Sequence, residues 1–516
     1  MGKREHRVVV IGSGFGGLAA AIRLQARGYQ VKVLEQRDQP GGRAYVYRQD
    51  GFVFDGGPTV ITAPFLFEEL FQLGGWRLED HVRLVPMDPF YRIRFFDGRT
   101  FDYSGDAERM VEQVRRLSPA DVDGYVRFIA ESERIFRTGF EKLADVPFGR
   151  ARDMLRIVPS MVRLRSYLTV YQLAARHVRH PDLRTVLSFH PLLVGGNPFR
   201  TTSIYTLILY LERRWGVWFA LGGTGALVRA LVELLLALGG ELELNAQVEQ
   251  ILVRPGPRRA AVRGVRLRGG REVAADLVVS NAEVGFTYRY LLPESARQKY
   301  TNARIEGLRY SMGLFVAYFG TRVQYPDVAH HMILLGPRYR GLLADIFDHK
   351  RLADDFSLYL HRPTCTDPSL APPGCDAFYV LSPVPHLGAP QPVPWATEGP
   401  RYRDRILQYL EQTVLPGLSG QLATLHFVTP EHFRDELSSL YGAGFSVEPV
   451  LGQSAYFRPH NRSEDIDGLY FVGAGTHPGA GLPGVLSSAK VVDRLVPRLP
   501  GAPPGAPIAG SHAELA

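Results

Sequence analysis

Cysteine is nearly absent: the 516 residues contain only Cys365 and Cys375, which form neither a Cys-x-x-Cys pair nor a Cys/His ligand pattern. A disulfide framework and a structural zinc site are therefore not expected, and a reducing compartment fits. Long uncharged apolar runs are also missing. The best candidate, Leu227 to Leu238, is interrupted by Arg229 and Glu233, so no helix is expected to span a bilayer. A secretory leader is not expected either, because Lys3, Arg4, His6 and Arg7 run at once into an apolar strand and a glycine turn. No internal repeat stands out. The net charge of +8 is modest for this length, and without a recognised binding motif it does not point to nucleic acid. With 45% hydrophobic residues, the chain can bury a large core spread over two or three domain-sized units.

The chain does carry two glycine-rich segments at opposite ends. Near the start, Val8-Val9-Val10-Ile11 leads into Gly12-Ser13-Gly14-Phe15-Gly16-Gly17. The small-residue helix Leu18 to Ile22 follows, then a stop at Gly28 and the strand Val31 to Leu34. This is a βαβ unit in the right order. Gly12 permits the tight turn, Gly14 lets the backbone approach a pyrophosphate, and Gly17 lets the helix pack closely on the strand. The anion then sits on the helix N-terminus. Glu35, followed by Gln36, ends the second strand, where a carboxylate accepts hydrogen bonds from ribose hydroxyls and repels a 2′-phosphate. An adenosine diphosphate is the half of a cofactor expected here.

Two further motifs follow, Gly41-Gly42-Arg43 and Gly56-Gly57-Pro58-Thr59. NAD enzymes have no general use for them, whereas Arg43 can hold phosphate oxygens in a bidentate fork. The second glycine segment, Gly473 to Gly484, lies between an apolar strand, Leu469 to Val472, and a helix, Val485 to Val492. Gly473, Gly475, Gly481, Leu482, Pro483, Gly484 and Val485 are its candidate contacts. A helix beginning near Gly484 offers free N–H groups and a positive dipole end, which would stabilise negative charge on a reduced flavin. A long cofactor gripped from both ends, FAD, is the expectation.

The chain resembles the FAD-dependent carotenoid desaturase family, of the bacterial and fungal phytoene desaturase type, over nearly its whole length. Besides the glycine loops, the resemblance rests on Arg152-Asp153-Met154-Leu155-Arg156, Phe189-His190-Pro191-Leu192-Leu193-Val194-Gly195-Gly196-Asn197-Pro198, Trp215-Gly216-Val217-Trp218-Phe219, Gly336-Pro337-Arg338-Tyr339 and Phe457-Arg458-Pro459-His460-Asn461-Arg462. It implies an α/β fold: a discontinuous Rossmann-like FAD-binding domain with an inserted α+β substrate domain, as in amine oxidases. It also implies removal of hydrogen from phytoene in successive rounds towards neurosporene or lycopene. Hydride would pass to the flavin, with quinone or oxygen as final acceptor. Val248 is then placed to pack on the adenine, and Asn281 joins the cofactor contacts. Asp153 and Arg156 are the candidates for assisting proton loss, as a buried carboxylate beside a cation, with a surface ion pair as the alternative. Other readings are a family member acting on another carotenoid, or a non-catalytic carotenoid-binding flavoprotein. His330-His331 raise a metal reading, but neighbours on one strand point to opposite faces and no further ligand is evident, so no metal is expected.

The FAD-binding parts are placed at 1–75, 216–290 and 451–498, the substrate parts at 76–215 and 291–450, and a disordered tail at 499–516. Between Arg150 and Arg184 eight arginines are interleaved with apolar residues against two acids, Asp153 and Asp182. Such a stretch suits an anionic membrane surface, with Arg163 and Arg165 among the headgroups. A cytoplasmic protein attached to the membrane periphery is the resulting expectation.

Overall fold

The computed structural model describes residues 6–499; the tail beyond Leu499 lies outside the described residues. The apolar run near the start becomes the centre of a five-stranded parallel sheet. Its strands are β1 (Arg7–Ile11), β2 (Gln30–Leu34), β3 (Glu241–Glu243), β4 (Leu277–Ser280) and β5 (Leu469–Phe471), in the order β5-β4-β1-β2-β3. A parallel sheet is covered on both faces, which is why β1 reads as a continuous apolar run. Val8 and Val10 pack with the helices Phe15–Ala26, Thr224–Ala237 and Leu482–Leu495. Val9 and Ile11 face a three-stranded antiparallel sheet made by Val248–Arg254, Ala261–Leu267 and Glu272–Ala274. Close helix packing depends on Gly17, since a Cβ there would lie 2.1 Å from the Gly12 carbonyl oxygen.

The remaining chain builds a seven-stranded sheet ordered Leu422–Val428, Gly313–Thr321, Asp376–Val384, Leu358–His361, His331–Leu334, Tyr91–Arg94 and Thr100–Tyr103. Its neighbours are antiparallel except His331–Leu334 with Tyr91–Arg94. Every residue of Gly313–Thr321 is buried. One side, Phe315, Ala317 and Phe319, packs on Trp395, Tyr402 and Ile406 of the helix Trp395–Thr413. The other side places Leu314 and Val316 in the wall of a cavity.

Helices complete that wall. Leu207–Trp215 lies at the junction of the two halves, with Leu211 in the core around β1 and Leu209 in the core beneath the seven-stranded sheet. The α/β class and Rossmann-like sheet expected from the sequence are found. The C-terminal helix begins at Leu482, ahead of the expected start near Gly484. Pro483 is tolerated in its first turn because the N–H it lacks has no partner there.

Candidate active site

The glycine loops, the first βα turn and the seven-stranded sheet enclose one cavity of about 530 Å³. Its polar end contains Gly12, Gly14, Phe15, Gly16, Glu35, Gln36, Gly42, Arg43, Gly57, Pro58, Thr59, Val248 and Asn281. From the C-terminal segment come Gly473, Gly481, Leu482, Pro483, Gly484 and Val485. The structure thus brings together nearly all of the residues singled out in the sequence.

Gly17 and Gly475 are the exceptions among the glycines, and both serve packing. A Cβ on Gly475 would stand 2.7 Å from Val284 Cγ1 and 2.8 Å from Ser446 Oγ. The two loops meet around the Asn281 side chain. Cβ atoms added at Gly14, Gly16 and Gly473 would come within 2.9, 2.7 and 2.9 Å of its amide. Glu35 is buried, and its Oε2 accepts hydrogen bonds from Ser13 N–H at 2.8 Å and Ser13 Oγ–H at 2.6 Å, fixing the turn of the first loop.

Arg43 is the cation of the polar end. Its Nε is buried without a partner, its only hydrogen bond is a long 3.5 Å contact to Ser439 Oγ, and no ion pair engages it among the described residues. Burial pushes its pKa below the ordinary arginine value, with Glu283 opposing the shift. An unpaired buried guanidinium is costly without an anion beside it. Arg43, the glycine backbone of the first loop and the N-terminus of Phe15–Ala26 together form a donor set that fits a pyrophosphate.

The C-terminal loop is braced by Arg458, a residue whose role the sequence did not disclose. Fully buried, it donates to the carbonyls of Val447, Gln453, Ala474 and Thr476 at 2.7 to 3.3 Å.

Asp153 and Arg156 stand elsewhere. Asp153 caps its own helix, Ala151–Arg163, accepting from the Arg150 N–H at 3.0 Å. Arg156 is exposed, and neither side chain lines the cavity. The expectation of a buried carboxylate beside an arginine is therefore corrected. The same helix instead points Ile157 and Met161 into the cavity, while Leu155 and Val162 are 71% and 61% exposed. Arg165, expected among the headgroups from the sequence, pairs with the buried Glu131 at 2.6 Å.

Three imidazoles that sequence reasoning left apart come together beside the cavity. His331 lies opposite His361 on the antiparallel partner strand, and His330, just ahead of its strand, swings its ring onto the same group. His330 Nε2 and His361 Nε2 are 3.1 Å apart; His330 Nδ1 contacts Thr366 Oγ1 and His331 Nδ1 contacts Tyr359 OH, both at 2.7 Å. Tyr359 in turn lies 3.2 Å from Thr59 Oγ1. Burial lowers all three pKa values, that of His330 to about 3. The rings are therefore neutral, and His331 alone is linked to Thr59, through the Tyr359 hydroxyl.

A parallel βαβ sheet, an adenosine-type acid, an unpaired arginine and a second glycine loop define a flavoprotein. Residues 15–492 match the flavin-containing amine oxidoreductase family, and the chain belongs to that family, with FAD as its cofactor. Within it, the chain belongs with the phytoene desaturases. It is 54% identical to the lycopene-forming phytoene desaturase of Pseudescherichia vulneris, over 95% of this chain and 99% of that one. Identity to the neurosporene-forming enzyme of Cereibacter sphaeroides is 46%, over 96% and 95%. Among solved structures, putrescine oxidase with bound putrescine superposes with a TM-score of 0.63 at 13% identity, covering 95% of this chain and 99% of that one. Cyclohexylamine oxidase from Brevibacterium oxydans gives 0.59 at 16%, covering 95% and 98%. These likenesses are of fold alone.

Proposed function

We propose that the protein desaturates phytoene in successive rounds towards neurosporene or lycopene. The observation that carries this reading is one continuous cavity, with dinucleotide-type donors among its lining and an apolar wall that includes Leu193, Ile208, Leu314 and Ile333. A C40 hydrocarbon offers no polar handle, so apolar lining is what must hold a C–C bond in place. FAD, when bound, supplies the two-electron acceptor. Glu35 would receive the ribose hydroxyls, Arg43 and the first loop would hold the pyrophosphate, and the N-terminus of Leu482–Leu495 would serve the flavin end. Val248, which lines the cavity, would pack on the adenine.

The substrate also explains the outer face of Ala151–Arg163. At about 0.8 kcal/mol per buried CH₂, moving such a hydrocarbon into water costs on the order of 30 kcal/mol. It therefore passes directly between bilayer and enzyme. No helix among the described residues is long and apolar enough to cross a membrane. Exposed Leu155, Val158 and Val162 alternate with exposed Arg152, Arg156 and Arg163 over the cavity, the arrangement of a helix lying in an anionic interface. Quinone from the same membrane, or oxygen, is the proposed terminal acceptor.

The test is to incubate the FAD-loaded protein with liposomes carrying 15-cis-phytoene and record spectra of the extracted pigment. A visible band with several vibronic peaks is expected, its wavelength counting the rounds. No new band with phytoene, but conversion of an already coloured carotenoid, would overturn the reading in favour of a later step.

A further inference from the structure

Each desaturation removes two hydrogens from adjacent carbons. One leaves with its electron pair to the flavin; the other leaves as a proton, and the electrons of its C–H bond form the new C=C bond. The chain must provide an acceptor for that proton in an apolar cavity. Among the described residues three carboxylates line it: Glu35, Glu212 and Glu436. Glu35 has both oxygens engaged, by Ser13 and by the Arg37 N–H. Glu436 is exposed at the rim, beside Gln36.

Glu212 differs from both. It is 1% exposed and sits on Leu207–Trp215 next to Leu211, in the core around β1, and one turn on from Leu209, in the core beneath the seven-stranded sheet. Tyr91 O–H donates to its Oε1 at 2.8 Å. Its Oε2 has no hydrogen bond and lies 3.3 Å from His190 Nε2, itself buried and without a hydrogen bond. The titratable groups facing it are Tyr91, Tyr103 and His190, with Arg213 further off on Tyr125. Burial and the nearby carboxylate keep the protons on both phenols, so neither accepts one.

We infer that Glu212 is the catalytic base of the desaturation. Its free oxygen takes the proton from the carotenoid as the hydride leaves, Tyr91 fixes the carboxylate, and the proton is then held between Glu212 and His190 Nε2, 3.3 Å away. The assignment rests on the reading of the protein as a phytoene desaturase.

Substrate-dependent flavin bleaching under anaerobic conditions tests it, with FAD-loaded wild type, Glu212→Gln and Glu212→Asp in phytoene liposomes. For Glu212→Gln the flavin spectrum should be unchanged, KM should stay within about threefold, and the bleaching rate should fall by roughly 10²–10⁴-fold, the usual contribution of a general base. The wild-type rate should decline towards acid pH and the residual Gln rate should not. Glu212→Asp should recover at least about tenfold over Gln and keep the acid decline. Bleaching of Glu212→Gln within about threefold of wild type overturns the assignment. Where Gln does not fold, Asp decides: a lower plateau with the acid decline retained supports it, and an unchanged plateau overturns it. Wild type that bleaches with no C40 substrate removes the functional reading, and this assignment with it.

Discussion

The outward face of Ala151–Arg163 gives a prediction whose size follows from the structure. Full burial of a leucine or valine side chain stabilises by about 1.5–3 kcal/mol. Leu155 is 71% and Val162 61% exposed, so inserting both contributes about 2.5 kcal/mol. Replacing them by serine should weaken partitioning onto liposomes roughly 60-fold. A second variant, Arg152→Gln with Arg156→Gln and Arg163→Gln, removes about 1 kcal/mol per charge on an anionic surface. That is roughly a 140-fold loss, which should shrink as salt rises. Arg165 is left alone because it neutralises the buried Glu131. Sedimentation with liposomes of increasing phosphatidylserine content, alongside melting temperatures, reads both effects. The reasoning is refuted if both folded variants bind as wild type does.

Arg43→Gln should weaken FAD binding by roughly 10–150-fold, the equivalent of losing about 1.5–3 kcal/mol of charge-assisted hydrogen bonding; flavin fluorescence titration of the apoprotein checks this. His330 should make the protein acid-sensitive. Its folded pKa of about 3 lies below the unfolded value near 6.5, so its stabilisation is present above pH 6.5 and is lost as pH falls towards 3. Replacing it by Asn should flatten the fall of melting temperature between pH 6.5 and 4, and an unaltered slope would contradict the assignment of a buried neutral ring.

Local patterns made the cofactor end legible. Val8 to Gly17 announces a strand, a turn and a helix within ten residues, and Arg43 follows at short range, so neighbours in sequence are neighbours in space. The substrate end depends on distant pairings. His331 meets His361 only because two strands lie antiparallel, and the rule that adjacent side chains diverge fails at His330, which precedes its strand. Glu212 is not singled out by the sequence, where it stands next to Arg213 and Arg214. It is buried because Tyr91, from another strand, closes over it. Asp153 misled in the opposite sense: beside arginines it suggested an ion pair, but at the third position of a helix it satisfies a backbone N–H.

The order of strands in the nucleotide sheet also governs how the chain can be made. β1 emerges first, yet its partner on one side belongs to a segment 269 residues later, marked by the bond from Arg7 N–H to Asp276. At about 5–20 residues per second, the apolar β1 waits roughly 15–50 s for that neighbour during synthesis. The second glycine loop arrives later still. Cofactor capture is thus a closing event of biogenesis, and a chain stalled before β5 would expose the very surfaces that bind the nucleotide.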